Sequence, residues 1–371
     1  MEPVITITSE ENNTLLFTMS NIDHSLANSL RRIILSDIPT VVFRTFPHNE
    51  SKVDIIENTT RLNNEILKQR IGCIPIHITD SEFPYQEYLV EVNKKNTSDT
   101  IEFLTTEDFK VKNIATDNYL SDKNVKELFP PDDITNDYIQ IARLRPKLSE
   151  NMDGEQLQFT ARFDLGTAKE DGMYNVVSTC SYGNTIDSIK ANDIWNEKKK
   201  ELVKEGVSEE DIEFQKKNWF LLEGKRITVP KSFDYTIESV GVYNNFALVY
   251  KSCDIMIQKC KSFIRLLEKG EVSIERSENT TVDNEYTITM VNEDYTLGNA
   301  LVYFLYEKYY SGNKSLSFVG FRVPHPHIPN GVIRMAFENA SDDSTTVSQY
   351  LTFAAENIIT TFTNIQSKFK D

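Results

Sequence analysis

The stretch TMSNIDHSLANSL, Thr18 to Leu30, occurs in this chain twice. Its second copy is TMVNEDYTLGNAL, Thr289 to Leu301, and the two align without a gap. Thr18 pairs with Thr289, Met19 with Met290, Asn21 with Asn292, Asp23 with Asp294, Leu26 with Leu297 and Leu30 with Leu301; Ser25 and Thr296 are near-matches. Upstream of each copy runs a strand-like alternation ending in a polar turn, VITITSEENN from Val4 and VSIERSENTT from Val272. Downstream stand VVFRTFPH, Val41 to His48, and VGFRVPH, Val319 to His325. Each half therefore reads strand, turn, strand, helix, strand. Two distant copies are not a solenoid array; they suggest a pseudo-symmetric dimer inside one chain.

Residue types inside the repeat suit that reading. Ser25 and Thr296 are placed to cap their helices, with Asp23 and Asp294 just outside at the positive end of the dipole. At about 100° per residue, Leu26, Leu30, Ile33 and Ile34 form one apolar stripe, and Leu297, Leu301, Phe304 and Leu305 repeat it. Ala27 and Gly298 border the stripes and permit close approach. A stripe must be buried somewhere, either on its own sheet or against the other copy; the recurrence of the pattern favours the other copy. The copies disagree at Arg31 and Arg32, which become Val302 and Tyr303. The helical wheel sets Arg32 opposite the stripe beside Asn28 and Leu35, with Arg31 at the stripe's edge. These arginines are either a solvated face or a contact to something outside the pair.

Between the copies, LNNEILKQRIGCIPIHI reads as a helix from Asn64 ended by Gly72, then a strand. From about Ile78 to Ser232 short strand-like pieces alternate with polar turns, the pattern of a separate β-rich domain. A charged segment, SIKANDIWNEKKKELVKEG, has its lysines broken up by glutamates and reads as a solvated helix face. A long amphipathic helix ends each half, Ile255 to Leu267 in one and Tyr350 to Phe369 in the other. The expected division is residues 1–77 with 233–270 as a first, discontinuous dimerisation domain, 78–232 as the inserted domain, and 271–371 as a second dimerisation domain. The expected class is α+β, helices on antiparallel sheets.

The chain has 371 residues, too long for one small core. A formal charge of −16 opposes direct binding to nucleic acid unless a basic groove is concentrated somewhere. No run of about 18 apolar residues marks a membrane span, and MEPVITITSEENN has neither half of a signal peptide. The four cysteines, Cys73, Cys180, Cys253 and Cys260, lack metal-ligand spacing and read as free thiols in a reducing compartment. Cys253 and Cys260, two helical turns apart, read as one buried face. The sequence contains no phosphate-binding glycine loop, no dinucleotide fingerprint and no nucleophile elbow. The histidines of PHPHIP, Pro324 to Pro329, stand without a nearby cysteine or carboxylate and make a weak metal site. No catalytic residues, metal or cofactor are expected.

In order, LANSLRRIILSDIPT, NNEILKQRIGCIPI, IARLRP with GTAKEDGMYNVV, and YTIESVG resemble the α-like assembly component of cellular RNA polymerases: the bacterial α N-terminal domain, its archaeal D counterpart and the third subunit of eukaryotic polymerase II. NEDYTLGNALVYFL with FVGFRVPHPHIPNGVIRMAF resembles its smaller partner, the archaeal L polypeptide or the eleventh eukaryotic subunit. Together the matches cover nearly the whole chain, so two subunits look fused, as in large DNA viruses that carry their own polymerase. The resemblance implies a non-catalytic platform that docks the second-largest, β-like subunit and then the largest, β′-like one. A small tenth-subunit-like protein is a further expected partner. It implies that Leu26, Leu30, Ile33, Ile34, Leu297, Leu301, Phe304 and Leu305 form an internal interface. It implies that Asn28, Arg31, Arg32 and Leu35 meet the β-like subunit, and that Lys169, Glu170 and Tyr174 sit on a partner-contact loop. That loop departs from its relatives in having Asp171 where histidine is frequent and Tyr174 where tryptophan is. Many relatives carry a four-cysteine zinc loop or an iron–sulfur site in the inserted domain; with Cys180 alone there, neither is expected. A monomer with no homo-oligomer follows, in a reducing intracellular compartment, or in the host cytoplasm and virion if the source is viral.

Overall fold

The computed structural model describes residues 2–11, 13–80, 83–147, 149, 153–276, 282–339 and 343–370. The polar turn expected at 277–281 lies outside the described residues. The fold is α+β, with one motif used twice. In the first repeat β1 (Val4–Glu11) and β2 (Thr14–Ser20) form a hairpin, and α1 (His24–Ser36) follows. On β2 the alternation of TLLFTMS buries Leu15, Phe17 and Met19.

The chain then leaves the motif. It makes β3 (Thr40–Phe43), β4 (Val53–Asn58), α2 (Asn64–Gly72), β5 (Tyr88–Lys95), β6 (Glu102–Thr105), β7 (Lys110–Asn113), α3 (Asp122–Leu128), β8 (Gln140–Leu144) and β9 (Gln156–Gly166). It re-enters at β10 (Val177–Ile186), passes two surface helices, α4 (Ser188–Lys204) and α5 (Glu209–Leu221), and closes the repeat with β11 (Thr228–Ser239) and α6 (Asn245–Glu268). The sheet order is β1-β2-β11-β10.

The second repeat runs without the excursion: β12 (Ser273–Arg276), β13 (Glu285–Val291), α7 (Tyr295–Leu305), β14 (Leu316–Arg322), β15 (Asn330–Phe337) and α8 (Ser344–Gln366), in the sheet order β12-β13-β15-β14. β13 buries Tyr286, Ile288 and Met290, the counterparts of Leu15, Phe17 and Met19. The repeat is thus strand, strand, helix, strand, strand, helix, longer than the sequence suggested. The downstream match between VVFRTFPH and VGFRVPH is not structural. Val41–Phe43 pair with β9, whereas Val319–Arg322 lie on β14 and pair with β15. The first-repeat counterpart of β14 is β10.

Two compact units result: residues 1–34, 179–238 and 245–371, and residues 35–178 with 239–244. The expected insertion, 78–232, is therefore displaced. It begins right after α1, because β3 and β4 pair successively along the long strand β9. It ends before β10, because β10 and the helices after it belong with β11. Inside this unit Phe43, Phe109, Phe129, Phe159 and Phe163 pack ring on ring, with neighbouring centroids 5.0–6.3 Å apart. The alternation of β9 puts Leu157, Phe159, Ala161 and Phe163 inward. α2 starts where the sequence put it, with Asn63 accepting from the Ile66 amide. Among the described residues no helix is long and apolar enough to cross a membrane.

Candidate assembly interface

The two repeat helices begin on aspartates. Asp23 Oδ1 accepts from the Ser25 amide at 2.8 Å, and Asp294 Oδ1 accepts from the Thr296 amide at 2.8 Å. Capping falls two residues earlier than Ser25 and Thr296, because a carboxylate accepts from the exposed amides more strongly than a hydroxyl does. The Thr296 hydroxyl is thereby left for another partner.

That partner is Arg32. Its Nε donates to Thr296 Oγ1 at 2.8 Å and its NH2 to Asp294 Oδ2 at 2.8 Å. One turn earlier the Ser29 hydroxyl reaches the carbonyls of Ser25 and Thr296. α1 and α7 thus meet along the Ser29–Arg32 ridge. The expectation that Arg32 points away from the other half is overturned. On the wheel Ser29 flanks the 26/30/33/34 stripe, and the long Arg32 side chain, about 60° further round, reaches back past it to α7. All eight stripe residues are buried, Phe304 the least so. Gly298 makes its close approach to its own sheet: a Cβ there would stand 2.3 Å from the Phe321 ring on β14.

Pseudo-symmetry explains why the copies differ at this position. The counterpart of Arg32 is Tyr303, and the counterpart of Asp294 is Asp23. Tyr303 is pushed up mainly by burial, and Asp23 is among the charges it feels. Its hydroxyl accepts from Lys231 Nζ at 3.4 Å, with that ammonium 5.7 Å from the ring centroid. One end of the helix crossing is ionic; at the other, a tyrosine and a lysine from β11 replace the arginine.

Further contacts cross between the repeats. α6 packs along α8. Gln366 Nε2 donates to the Tyr250 carbonyl at 3.4 Å, and the Phe369 ring lies 5.6 Å from Phe246 and 5.2 Å from Phe17. The end of α8 therefore lies at the start of α6. Lys259 on α6 stands 3.5 Å from Glu293, which precedes α7. Cys253 and Cys260 share the buried face of α6.

Arg31 behaves differently from Arg32. Its Nε and NH2 donate to Asn28 Oδ1 at 3.1 and 2.9 Å, within the same helix, and both residues are half-exposed. Its charge is felt by Cys180, whose thiol burial pushes up to about 12, and by Tyr182. Leu35 is half-buried at the end of α1.

In the other unit, Lys169 and Glu170 are exposed, and Glu170 Oε2 lies 3.0 Å from Arg44. Tyr174 is not a surface residue. It is 2% exposed and lies over Gly166, where a Cβ would come within 2.8 Å of its ring. It holds the loop in place rather than presenting itself.

The residues do not fit the zinc or iron–sulfur site of some relatives. Cys180 is buried on β10, and among the described residues no three His, Cys, Asp or Glu side chains gather. Sequence reasoning missed Ser29, Asp294, Thr296 and Lys231 as bridging groups. The repetition of Asp23 at Asp294 was the available signal, since a capping carboxylate is also an acceptor for a neighbouring helix.

Comparison with known proteins agrees with the repeated motif. The family model described as the RNA polymerase Rpb3/Rpb11 dimerisation domain matches residues 16–260, and a second model of the same description matches 285–368. The chain is 26% identical over 302 residues to the DNA-directed RNA polymerases I and III subunit RPAC1 of Homo sapiens, spanning 70% of this chain and 82% of that protein. It is 24% identical over 299 residues to the polymerase subunit Rpo3 of Methanosphaera stadtmanae, spanning 72% of this chain and 99% of that protein. The polymerase II subunit RPB3 of Schizosaccharomyces pombe matches a shorter stretch, 35% over 83 residues, 22% of this chain and 26% of that protein.

Proposed function

This chain belongs to the RNA polymerase Rpb3/Rpb11 dimerisation family as an α-like polymerase subunit, and from that premise we propose that it nucleates polymerase assembly as a preformed pair. It captures the β-like subunit first and the β′-like subunit next, and contributes no catalytic group of its own. The observation that carries the reading is the double use of one dimerisation motif in a single chain, closed by Arg32–Asp294 and by α6 on α8.

The outer face of α1 receives the β-like subunit, through Asn28, Arg31 and Leu35. Arg31 supports this because its hydrogen bonds among the described residues go to Asn28 alone and its guanidinium is half-exposed. Such a group, once desolvated against a carboxylate or carbonyl, makes several directed bonds. Arg32 is withdrawn from the contact set, since it serves the internal pair. Lys169 and Glu170 form a second contact loop, steadied by Tyr174 beneath it, and a small tenth-subunit-like protein is a further partner. The proposal extends to a virus-encoded polymerase acting in host cytoplasm and packaged in the virion, on the ground of the one-chain fusion.

The test is co-expression with the two large subunits from the same genome, followed by purification through this chain. Recovery of a complex with the β-like subunit alone, and of the full set when both are present, is expected. Arg31→Glu should lower capture while the chain stays folded. Recovery of the chain alone, with soluble large subunits in the same extract, would overturn the proposal.

A further inference from the structure

The unit formed by residues 35–178 and 239–244 concentrates positive charge in one place. A groove of about 590 Å³ is lined by Arg61, Arg70, Arg143 and Arg145, with Ile101 among its apolar residues and Glu155 as its one carboxylate. Arg145 consumes that carboxylate: its Nε lies 2.6 Å from Glu155 Oε1, and its backbone amide donates to Oε2 at 2.7 Å. Arg70 is held by carbonyls, Nε to Ile141 at 2.8 Å and NH2 to Gln140 at 2.6 Å. Carbonyls fix a guanidinium but leave its charge uncompensated. Arg143 lies 5.6 Å from the centroid of the Phe103 ring, and Arg61 has no ion pair among the described residues. Three guanidiniums thus surround one groove without a carboxylate partner among the described residues, in a chain of net charge −16.

Arg70 ties α2 to the β8 backbone and Arg143 faces Phe103 across β6 and β8, yet neither contact neutralises a charge. Like charges held together repel, and Arg61 and Arg143 are exposed rather than used as struts. Around them the surface is apolar: Ile101 is 53% and Phe103 44% exposed. A surface that alternates guanidinium and hydrocarbon is complementary to a peptide that alternates carboxylate and hydrocarbon. Nucleic acid fits less well. The whole chain repels a polyanion at long range, and none of the residues lining the groove is an aromatic on which successive bases could stack.

We propose that this groove docks an extended acidic segment of another protein. Carboxylates pair with Arg61, Arg143 and the outer donors of Arg70, and apolar side chains rest on Ile101. The site is independent of the α1 face assigned above, so its failure would leave the assembly role standing.

The experiment uses the full chain and fluorescence anisotropy. The probe is a short fluorescein-labelled peptide with glutamates flanking a Leu–Phe pair; controls are its lysine-for-glutamate counterpart and a labelled oligouridylate of similar length. Binding of the acidic peptide alone is expected. Arg61→Glu with Arg143→Glu should weaken it by about tenfold or more, at an unchanged melting temperature. Ile101→Ser should weaken it with the charges intact. Should the glutamate variant fold poorly, Arg61→Lys with Arg143→Lys reads the same site, retaining charge but losing the paired guanidinium geometry, and should bind measurably less well. Failure of the peptide to bind, equal binding by the substituted chains, or arginine-dependent binding of the oligouridylate in its place would overturn the proposal.

Discussion

Neutralising Arg32 and Asp294 one at a time and together tests the internal pair directly. Arg32→Gln removes the guanidinium; Asp294→Asn keeps a capping acceptor for the Thr296 amide while removing the charge. The pair stands at 2.8 Å with side chains 34% and 35% exposed. Unit charges about 4 Å apart gain about 1 kcal/mol in water and about 4 kcal/mol at an effective dielectric near 20. A third of each side chain is wet, so screening pulls the value toward the lower figure, and a coupling of about 1–2 kcal/mol is expected. Arg32→Gln alone should cost somewhat more, about 2 kcal/mol, because the bond to the Thr296 hydroxyl weakens as well. The assay is urea unfolding followed by tryptophan fluorescence. The chain's two tryptophans, Trp195 and Trp219, lie on α4 and α5 in the same compact unit as the pair, so the signal is not averaged over the other unit. The coupling should shrink as salt is raised. A coupling within about 0.3 kcal/mol of zero at low salt would show that the ion pair is no more than solvated neighbours, and the argument for an ionic helix crossing would fall.

Other outcomes follow from the same structure. A thiol reagent at mildly alkaline pH should modify Cys73 rapidly and leave Cys180, Cys253 and Cys260 until the chain unfolds, since only Cys73 is exposed and burial pushes the other thiols up; rapid reaction of all four would contradict the packing of α6 and β10. His77 is held below its ordinary 6.5, mainly by burial. The unfolded state therefore binds its proton more readily, so stability should fall as pH drops below about 6.5, and His77→Gln should flatten that slope; an unchanged slope would remove His77 from the account. Gly298→Ala should cost about 1–2 kcal/mol of unfolding free energy despite alanine's helix preference, because the new methyl meets a Phe321 ring that Gly331 also confines; a raised urea midpoint would refute that packing. Cleavage after Gly270 should leave the two pieces associated on size exclusion, and their separation without denaturant would mean that the linker, not the joint core, holds them.

Much of this was legible in the residues. Strand-like alternation upstream of the copies marked β1 and β12, helix-start chemistry and an apolar stripe marked α1 and α7, and the gapless match between them marked the pair. The family resemblance added what no periodicity carries: that such pairs build polymerases. The errors share a cause. VVFRTFPH and VGFRVPH look alike because both are β-prone and end in Pro-His, yet strand pairing is a long-range choice. Val41–Phe43 find β9 more than a hundred residues downstream, and local pattern is blind to that. The insertion boundary moved with it. Arg32 was misplaced because a helical wheel fixes where a Cβ points, not how far a long guanidinium side chain reaches round the helix. Packed helices touch along a ridge over a short length, and here the small polar residues Ser29 and Thr296 sit at the contact that Arg32 reaches. Tyr174 was misplaced because a loop motif reveals neither which side chain faces out nor that Gly166 leaves a seat for the ring.

The break in symmetry at Arg32 and Tyr303 also bears on why fusion matters. If the first repeat paired with its own copy, Arg32 would meet Asp23 at both ends of the helix crossing, and both ion pairs could form. The side-chain chemistry therefore does little to forbid that homodimer, and specificity must come from elsewhere. It comes from the connection. α6 ends at Glu268 and β12 begins at Ser273, so the second repeat is tethered a few residues from the first. A short tether holds its partner at an effective concentration of about millimolar or above, against which a second free copy at cellular levels competes poorly. The insertion after α1 interrupts the first repeat only, so the two repeats differ in connectivity as well as at Arg32 and Tyr303.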